Sequence, residues 1–516
     1  ANTTTIAGLG FAGKPARRVA MPVVTTQTAA PLAVDTGPVT LRNGSVRWLD
    51  NEQKTEAVTI GFDIELGVAG IPSSWWASWG SGSPVIALGS DVDGIPRASQ
   101  MPGVAYRQPM IEGAPGHGEG HNSGQAVNIV AALAVKEIMQ RQGLPGTIVL
   151  WPGIAEELLG TKAWYARDGL FDGVDAVLFT HVSNNLNVSW GDARGTGLIS
   201  VEYLFDGVAA HGAGDPWKGR SALDAVELMN VGWNFRREHL QPLQRSHYVI
   251  SNGGDQPNVV PSYASVWYFI REITAEGIRT NWDTLQRIAE GAAMMTDTTV
   301  SRRVVGAAWP RHFNKPIALA MDENIRAVGL PTWSEDDQRF AKALQTLMGS
   351  DDPQGLATEL SDIGEPLENP VSGGSDDIGD ISWNVPTVTL RYPSNVRGLQ
   401  GHHWSSAMAM ATPIAHKGAT AGAKVVGATM LDLLQDESLV AEAHAYFDDI
   451  QTKDVQYESF VGPDDDPAIE KNAETMALFK DQLEALYYDP ARFDNYLDQL
   501  GIEYPQIEAS FIQRGR

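Results

Sequence analysis

The chain has 516 residues and an apolar share of 43%, enough to build two ordinary domains, one of which can be inserted in the other. Its formal charge of −25 excludes the clustered Lys and Arg of a nucleic-acid footprint and leaves small molecules or peptides as partners. There is no cysteine, so neither a disulfide nor a thiolate ligand is available, and no apolar run approaches the roughly 20 residues of a membrane span.

The chain opens with the polar, Thr- and Ala-rich ANTTTIAGLGFAGKPARR. That reads as a mature end left by removal of an export signal, so a periplasmic or secreted location is expected, with a cytoplasmic one as the alternative. PVIALGSDVDGIP then predicts a short strand ending near Leu88, followed by a polar turn carrying Asp91 and Asp93. NSGQAVNIVAALAVKEIMQRQG has apolar residues at helical spacing, with Asn122 or Ser123 as cap and Gly143 as stop. Strand TIVLW leads into PGIAEELLG, and strand AVLF leads into THVSNN. Strand alternating with helix predicts an α/β domain around a mostly parallel sheet. Asp91, Asp93, Glu156, Glu157 and His181 all fall just past the carboxyl ends of its strands, where open α/β sheets bind ligands.

From about Leu198 the pattern changes to LISVEYLF (strand), SALDAVELMNVGWNFRREH (helix), HYVIS and ASVWYFIREI (strands), TNWDTLQRIAEGAAMM (helix) and VSRRVVGAAW (strand). This βαββαβ order predicts a ferredoxin-like domain over residues 198–312, inserted between catalytic segments 1–197 and 313–516. Helical and α/β character is expected to resume by about Asp337, with VPTVTLRY as the last core strand and TPIAHKGATAGAKVVGATMLDLL as the last core helix. An acidic, mostly helical extension follows from about residue 435.

A divalent cation in a cysteine-free chain needs carboxylates and imidazoles converging from separate segments. Glu119 and His121 in GHGEGHNSGQ, the pair Glu156 and Glu157, His181, and His402 or His403 in GHHW can supply five ligands to two cations. Glu119 can bridge them with its two oxygens, and Gly118 and Gly120 let the turn close tightly. Adjacent glutamates suit a division of labour in which one holds metal and its neighbour takes a proton from water. Each residue has a plainer reading: a loop histidine usually just hydrogen-bonds, and a Glu pair on an acidic chain usually faces solvent. GIAEELLG, however, follows a buried strand with apolar neighbours on both sides. His117 precedes the motif and reads as a supporting or surface group. In GGSDDIGD, Gly373 and Gly374 allow close backbone approach to a ligand, or the acids cap a helix.

Taken in order, SDVDGIP, HGEGHN, GIAEELLG, THVSNN, AAHGAGDPWKGRSALDAVELMN, NGGDQPNVVPSYASVWYFIRE, GGSDDIGDISWNVPT and GHHW resemble the M20 metallopeptidases. Within them the chain is similar to the branch of aminobenzoyl-glutamate and N-acyl-amino-acid hydrolases, over about Val85 to Leu434. The resemblance implies Glu156 as the base, and Glu119, His121, Glu157, His181 and His402 as ligands of two divalent ions, Zn first and Mn, Co or Ni as alternatives. Glu119 stands where the branch carries a cysteine. It further implies an orienting role for Asp93, a supporting place behind the ligands for Asp91, which stands where peptidase members carry a metal-binding histidine, polarisation of the scissile carbonyl by His211, often across a dimer contact, and substrate contacts from Asn258, Arg271 and Gly374. Arg suits a carboxylate because it presents a planar fork.

The expected function is hydrolysis of an amide joining an acyl or aryl-acyl group to an amino acid, by a homodimer or higher oligomer whose inserted domain closes over the site. A dipeptidase or carboxypeptidase of the same family is one alternative. A periplasmic binding protein that kept the scaffold without catalysis is the other.

Overall fold

The structure, a computed structural model, describes residues 39–42, 45–48, 61–158, 160–193, 195–366 and 373–507. The polar start on which the export expectation rests lies outside these. A hairpin, β1 (Val39–Arg42) and β2 (Ser45–Trp48), is followed by β3 (Asp63–Leu66), β4 (Trp75–Ser81), β5 (Val85–Asp91), α1 (His121–Gln142), β6 (Gly146–Gly153), α2 (Lys162–Arg167), β7 (Ala176–Ser183) and the short β8 (Gly191–Asp192). Next come β9 (Gly197–Asp206), α3 (Ala222–Arg237), β10 (Arg245–Asn252), β11 (Tyr263–Glu272), α4 (Ala275–Thr296) and β12 (Thr299–Ala308). The chain returns through β13 (His312–Phe313), α5 (Lys315–Val328), α6 (Glu335–Leu347), α7 (Ile378–Ser382), β14 (Thr387–Pro393), α8 (Pro413–Gln435), α9 (Glu437–Tyr446), α10 (Ala473–Glu484) and α11 (Tyr496–Leu500).

The large sheet has the order β14-β7-β5-β6-β4-β3, with β14, β7, β5 and β6 parallel and the β4-β3 edge antiparallel. Its central strands read as unbroken apolar runs because both faces are covered. Ile86, Leu88, Ile148, Leu150 and Leu178 point to a core shared with α1, α5 and α8, while the alternate residues Ala87, Val149, Trp151, Val177 and Phe179 meet α2 and α7 on the other side. The second sheet, β10-β11-β9-β12, is fully antiparallel and has α3 and α4 on one face, packed over Val201, Tyr203, Val266 and Tyr268.

Four expectations need correcting. The strand placed to end near Leu88 runs on to Asp91, which is buried in it rather than lying in a turn, because a lysine neutralises it there. Helix α1 is capped by neither Asn122 nor Ser123: it starts at His121 behind a left-handed Gly120, and the Ser123 hydroxyl is engaged by the Gly120 carbonyl and Tyr392. Helical structure resumes with α5, well before Asp337, started by the Asn314 side chain accepting from the Ile317 N–H. SSWWASWG, for which no element was expected, contains most of strand β4.

The extension after α8 is helical in α9, α10 and α11, but between α9 and α10 it forms a strap across both sheets. Phe460 and Val461 join the core of the small sheet, while Gly462 and Asp465 accept from Arg167, and Asp465 from Trp164, both in α2. Glu202 on β9 meets Lys471, and Arg303 on β12 meets Glu470. Tyr457 donates to Asp380 in α7 at 2.7 Å, and Trp309, leaving β12, donates its backbone N–H to the same carboxylate and its indole N–H to the Glu458 carbonyl.

Candidate active site and metal centre

The tips of β5, β6, β7 and β14 converge on a cavity of about 400 Å3 that is walled on its far side by Leu198, Phe269 and Ala308 of the small sheet. The turn before α1 presses in from one edge. A side chain at Gly118 would strike Ile95 at 2.5 Å, and Gly120 sits at φ 70° against Met410, so both glycines are needed where Glu119 and His121 enter.

His121 is buried, and its Nδ1 lies 2.8 Å from Asp93 Oδ1; the other Asp93 oxygen accepts from the Glu157 backbone N–H at 2.8 Å. Asp93 thereby orients one imidazole and one carboxylate together. Burial opposes charge on His121, but the Asp93 hydrogen bond and the charges of Asp91, Asp93 and Glu157 outweigh it and raise its pKa to about 9. His121 Nε2 and His181 Nε2 face each other at 3.2 Å. His402, in a left-handed backbone conformation, puts Nε2 3.0 Å from Glu157 Oε2, and its N–H donates to Glu119 Oε1 at 3.0 Å. His403 turns away to Ser405 and stacks on Trp404. His117 Nδ1 reaches the Asp93 carbonyl at 3.1 Å.

This donor set fits divalent cations. With Nδ1 of His121 donating to Asp93, loss of the proton on Nε2 leaves a lone pair aimed at the space between the two rings, where a cation can take the place of the hydrogen bond to His181. Ligand atoms of Glu119, Glu157 and His402 lie within 4.8 Å of one another, as do those of His121, Glu156 and Glu157. The donors are all nitrogen and oxygen, which suits Zn, Mn, Co or Ni.

Glu156, within reach of His121 and Glu157, makes no hydrogen bond or ion pair among the described residues and lines the cavity. Burial, followed by the charges of Asp376, Asp91 and Asp377, raises its carboxyl well above the usual range, and Lys162 opposes them only in part. Lys162 is fully buried, bonded at 2.5 Å to Asp91 and also to Asp377. Arg311 is paired with Asp376 at 3.1 Å.

Arg271 and Gly374 line the cavity, with Arg271 donating to Ser375 Oγ at 2.7 Å. His211 and Asn258 do not. They lie together on the exposed side of the small domain, where the Gly212 N–H donates to the Asn258 carbonyl at 2.8 Å. The His211 Nδ1 accepts from the Ala213 and Gly214 N–H groups, which leaves Nε2–H as a free-facing donor. Sequence reading missed Lys162, Asp376, Asp377, Arg311 and Arg391. Only Arg391 carried a signal, as a lone cation inside an apolar strand, and Asp376 and Asp377 were read merely as loop or cap acids.

Residues 195–294 match the Peptidase dimerisation domain family. The chain is 34% identical over 418 residues to one of the p-aminobenzoyl-glutamate hydrolase subunits of Escherichia coli (strain K12), an alignment covering 77% of this chain and 86% of that protein. It belongs to the M20 family of metallopeptidases and amidohydrolases. M20 relatives at greater distance include Indole-3-acetyl-aspartic acid hydrolase of Enterobacter agglomerans, 27% identical over 58% of this chain and 71% of the relative. Another is the Xaa-Arg dipeptidase of Mus musculus, 28% identical over 52% of this chain and 60% of the relative. As an M20 member the chain is a metal-dependent hydrolase.

Proposed function

We propose that the chain hydrolyses the amide between an acyl or aryl-acyl group and an amino acid, with two divalent cations held by Glu119, His121, Glu157, His181 and His402. The observation that carries this reading is the gathering of those five side chains at one rim of the sheet, with Glu156 beside them and uncommitted. Cations bound there supply Lewis acidity, which polarises the amide carbonyl and acidifies water. Glu156 takes the proton from the attacking water and returns it to the leaving amine nitrogen, a role that suits a carboxyl whose proton affinity is raised by its surroundings. Asp93 holds His121 and Glu157 in register, Arg271 receives the substrate carboxylate, and the Gly374 backbone lets the substrate pass close.

His211 and Asn258 enter this reading through a second copy of the chain. Their distance from the cavity of their own chain supports it, as does the apolar surface on the same domain, where Phe235, Met294 and Met295 are 74%, 82% and 67% exposed. Residues 198–312 act here as the dimerisation and lid domain.

The test is Glu156→Gln assayed on a panel of N-acyl and N-aryl-acyl amino acids, with metal content measured alongside. A fall of roughly 100-fold or more at unchanged metal content is expected, and full activity would remove the proposed base.

A further inference from the structure

Arg391 sits third from the end of β14, and the parallel register places it directly beside His181 on β7. Its NH1 lies 3.0 Å from His181 Nδ1, but that same nitrogen is 2.8 Å from the Val182 carbonyl. One ring nitrogen serves only one of these partners. When it carries the proton it donates to the carbonyl, cannot accept from Arg391, and leaves Nε2 unprotonated toward His121; that is the tautomer a cation ligand requires. In that state Arg391 has no side-chain acceptor among the described residues, although Asp376, Glu119 and Glu156 are near enough to act on it at longer range.

Arg271 is in a similar position, with the Ser375 hydroxyl as its hydrogen-bond partner and no carboxylate paired to it among the described residues. Arg311 and Lys162 differ, because each is already neutralised by an aspartate. The cavity therefore presents two guanidinium groups that have no carboxylate bonded to them among the described residues. Sequestering such a group without an anion is costly, and a ligand that brings the anion recovers that cost on binding.

We propose that Arg391 is a specificity-determining residue that binds a second carboxylate of the substrate, so that the amino acid released is acidic: Arg271 takes its α-carboxylate and Arg391 its side-chain carboxylate. The inference rests on the amidohydrolase reading above. It places the side-chain carboxylate at the β7–β14 end of the cavity and the α-carboxylate at the Gly374–Ser375 end. A substrate with a basic side chain would set that charge against Arg391.

The experiment compares N-benzoyl-glutamate with the isosteric N-benzoyl-glutamine, which keeps the α-carboxylate but has an uncharged side chain, and with N-succinyl-alanine, which carries its second carboxylate on the acyl side. The wild-type enzyme should prefer N-benzoyl-glutamate to either. Arg391→Met should lower kcat/KM for N-benzoyl-glutamate by roughly 10- to 150-fold, mainly through KM, while the glutamine amide changes little. Arg391→Lys should restore part of the loss. Calorimetry with glutarate and butyrate gives a readout independent of turnover: the preference for glutarate should disappear in Arg391→Met.

Equal losses on both benzoyl amides would overturn the proposal in favour of a structural or carbonyl-polarising role. So would a wild-type enzyme that hydrolyses the two equally, or one that prefers N-succinyl-alanine. A wild-type enzyme, metal-replete, that hydrolyses none of these amides would instead overturn the amidohydrolase reading itself.

Discussion

Lys162→Met removes the cation bonded to two buried acids, and its cost follows from the geometry. Lys162 is 0% exposed, and Asp91 and Asp377 are each 1% exposed, so water cannot replace the lost charge. Breaking a buried pair by deleting one partner costs about 3–5 kcal/mol, whereas replacing all partners by neutral groups of similar size is often close to neutral. Lys162→Met should therefore lower the urea midpoint strongly, and adding Asp91→Asn with Asp377→Asn should recover most of the loss. The sign of the pH dependence is also fixed. Burial outweighs Lys162 and holds the Asp377 carboxyl up to about 7, so the folded state binds that proton more tightly than the unfolded chain does. Stability from this group is complete below the unfolded pKa and drains away as pH rises toward 7. Without the lysine the penalty must be larger at pH 8 than at pH 5.5. Tryptophan fluorescence during urea unfolding at both pH values reads the effect. An unchanged midpoint at pH 8, or a larger penalty at pH 5.5, would refute the account of a charge-compensated cluster.

Chelation should abolish hydrolysis and lower the melting temperature, since ligands that bind only the folded state stabilise it; a chelated sample melting with the untreated one would speak against bound cations. Glu119→Cys places a thiolate among the ligands and should shift preference from Mn toward Zn in a competition assay, while an unaltered Mn-to-Zn ratio would deny Glu119 a place on the metal. Burial holds the Asp380 carboxyl up to about 7 despite hydrogen bonds from Tyr457 and Trp309, so wild-type stability should fall between pH 5 and pH 8 relative to Asp380→Asn; a constant gap between the two melting curves contradicts this. Phe460→Ala empties a site that is 2% exposed and should cost about 3–5 kcal/mol in urea unfolding, against almost nothing if the strap were a loose tail.

What the sequence made legible were features carried by neighbours along the chain. TIVLW and AVLF read as strands buried on both faces because their apolar runs are unbroken, and acids or histidines directly after such runs had to land at one rim. The alternation and helical spacing after Leu198 likewise reproduce the observed order from β9 to β12. Features made by distant pairs stayed hidden. Lys162 follows a glycine-containing turn and looks like an ordinary first-turn helix residue; its partners are 71 and 215 positions away. Arg391 is 210 positions from His181. Strand β4 was overlooked because its three tryptophans and two serines obscure the period of two, and α5 because its apolar face follows closely on the strand pattern of the small sheet.

The acidic extension shows how composition can mislead about role. Acids in a surface tail usually face solvent, yet Glu470 is set against Arg303 on β12 and Glu458 against Arg279 on α4. Exposed pairs of this kind contribute little each; the apolar anchors Phe460, Val461 and Ala468 carry more, being almost fully buried. The same segment holds Trp164 and Arg167 of α2 through the carbonyls of Gly462 and Asp465. The small domain is thus joined to the large sheet by three passages of chain: the two that enter and leave it, and the strap laid across both. Rotation of the small domain over the cavity must either carry the strap along and break its bonds to α2, or leave the strap in place and expose Phe460. Both routes disturb buried contacts, so closure over a substrate is harder here than in a two-domain protein linked by its crossovers alone. The wall that Leu198, Phe269 and Ala308 already form beside the cations' ligands is accordingly part of the resting enzyme.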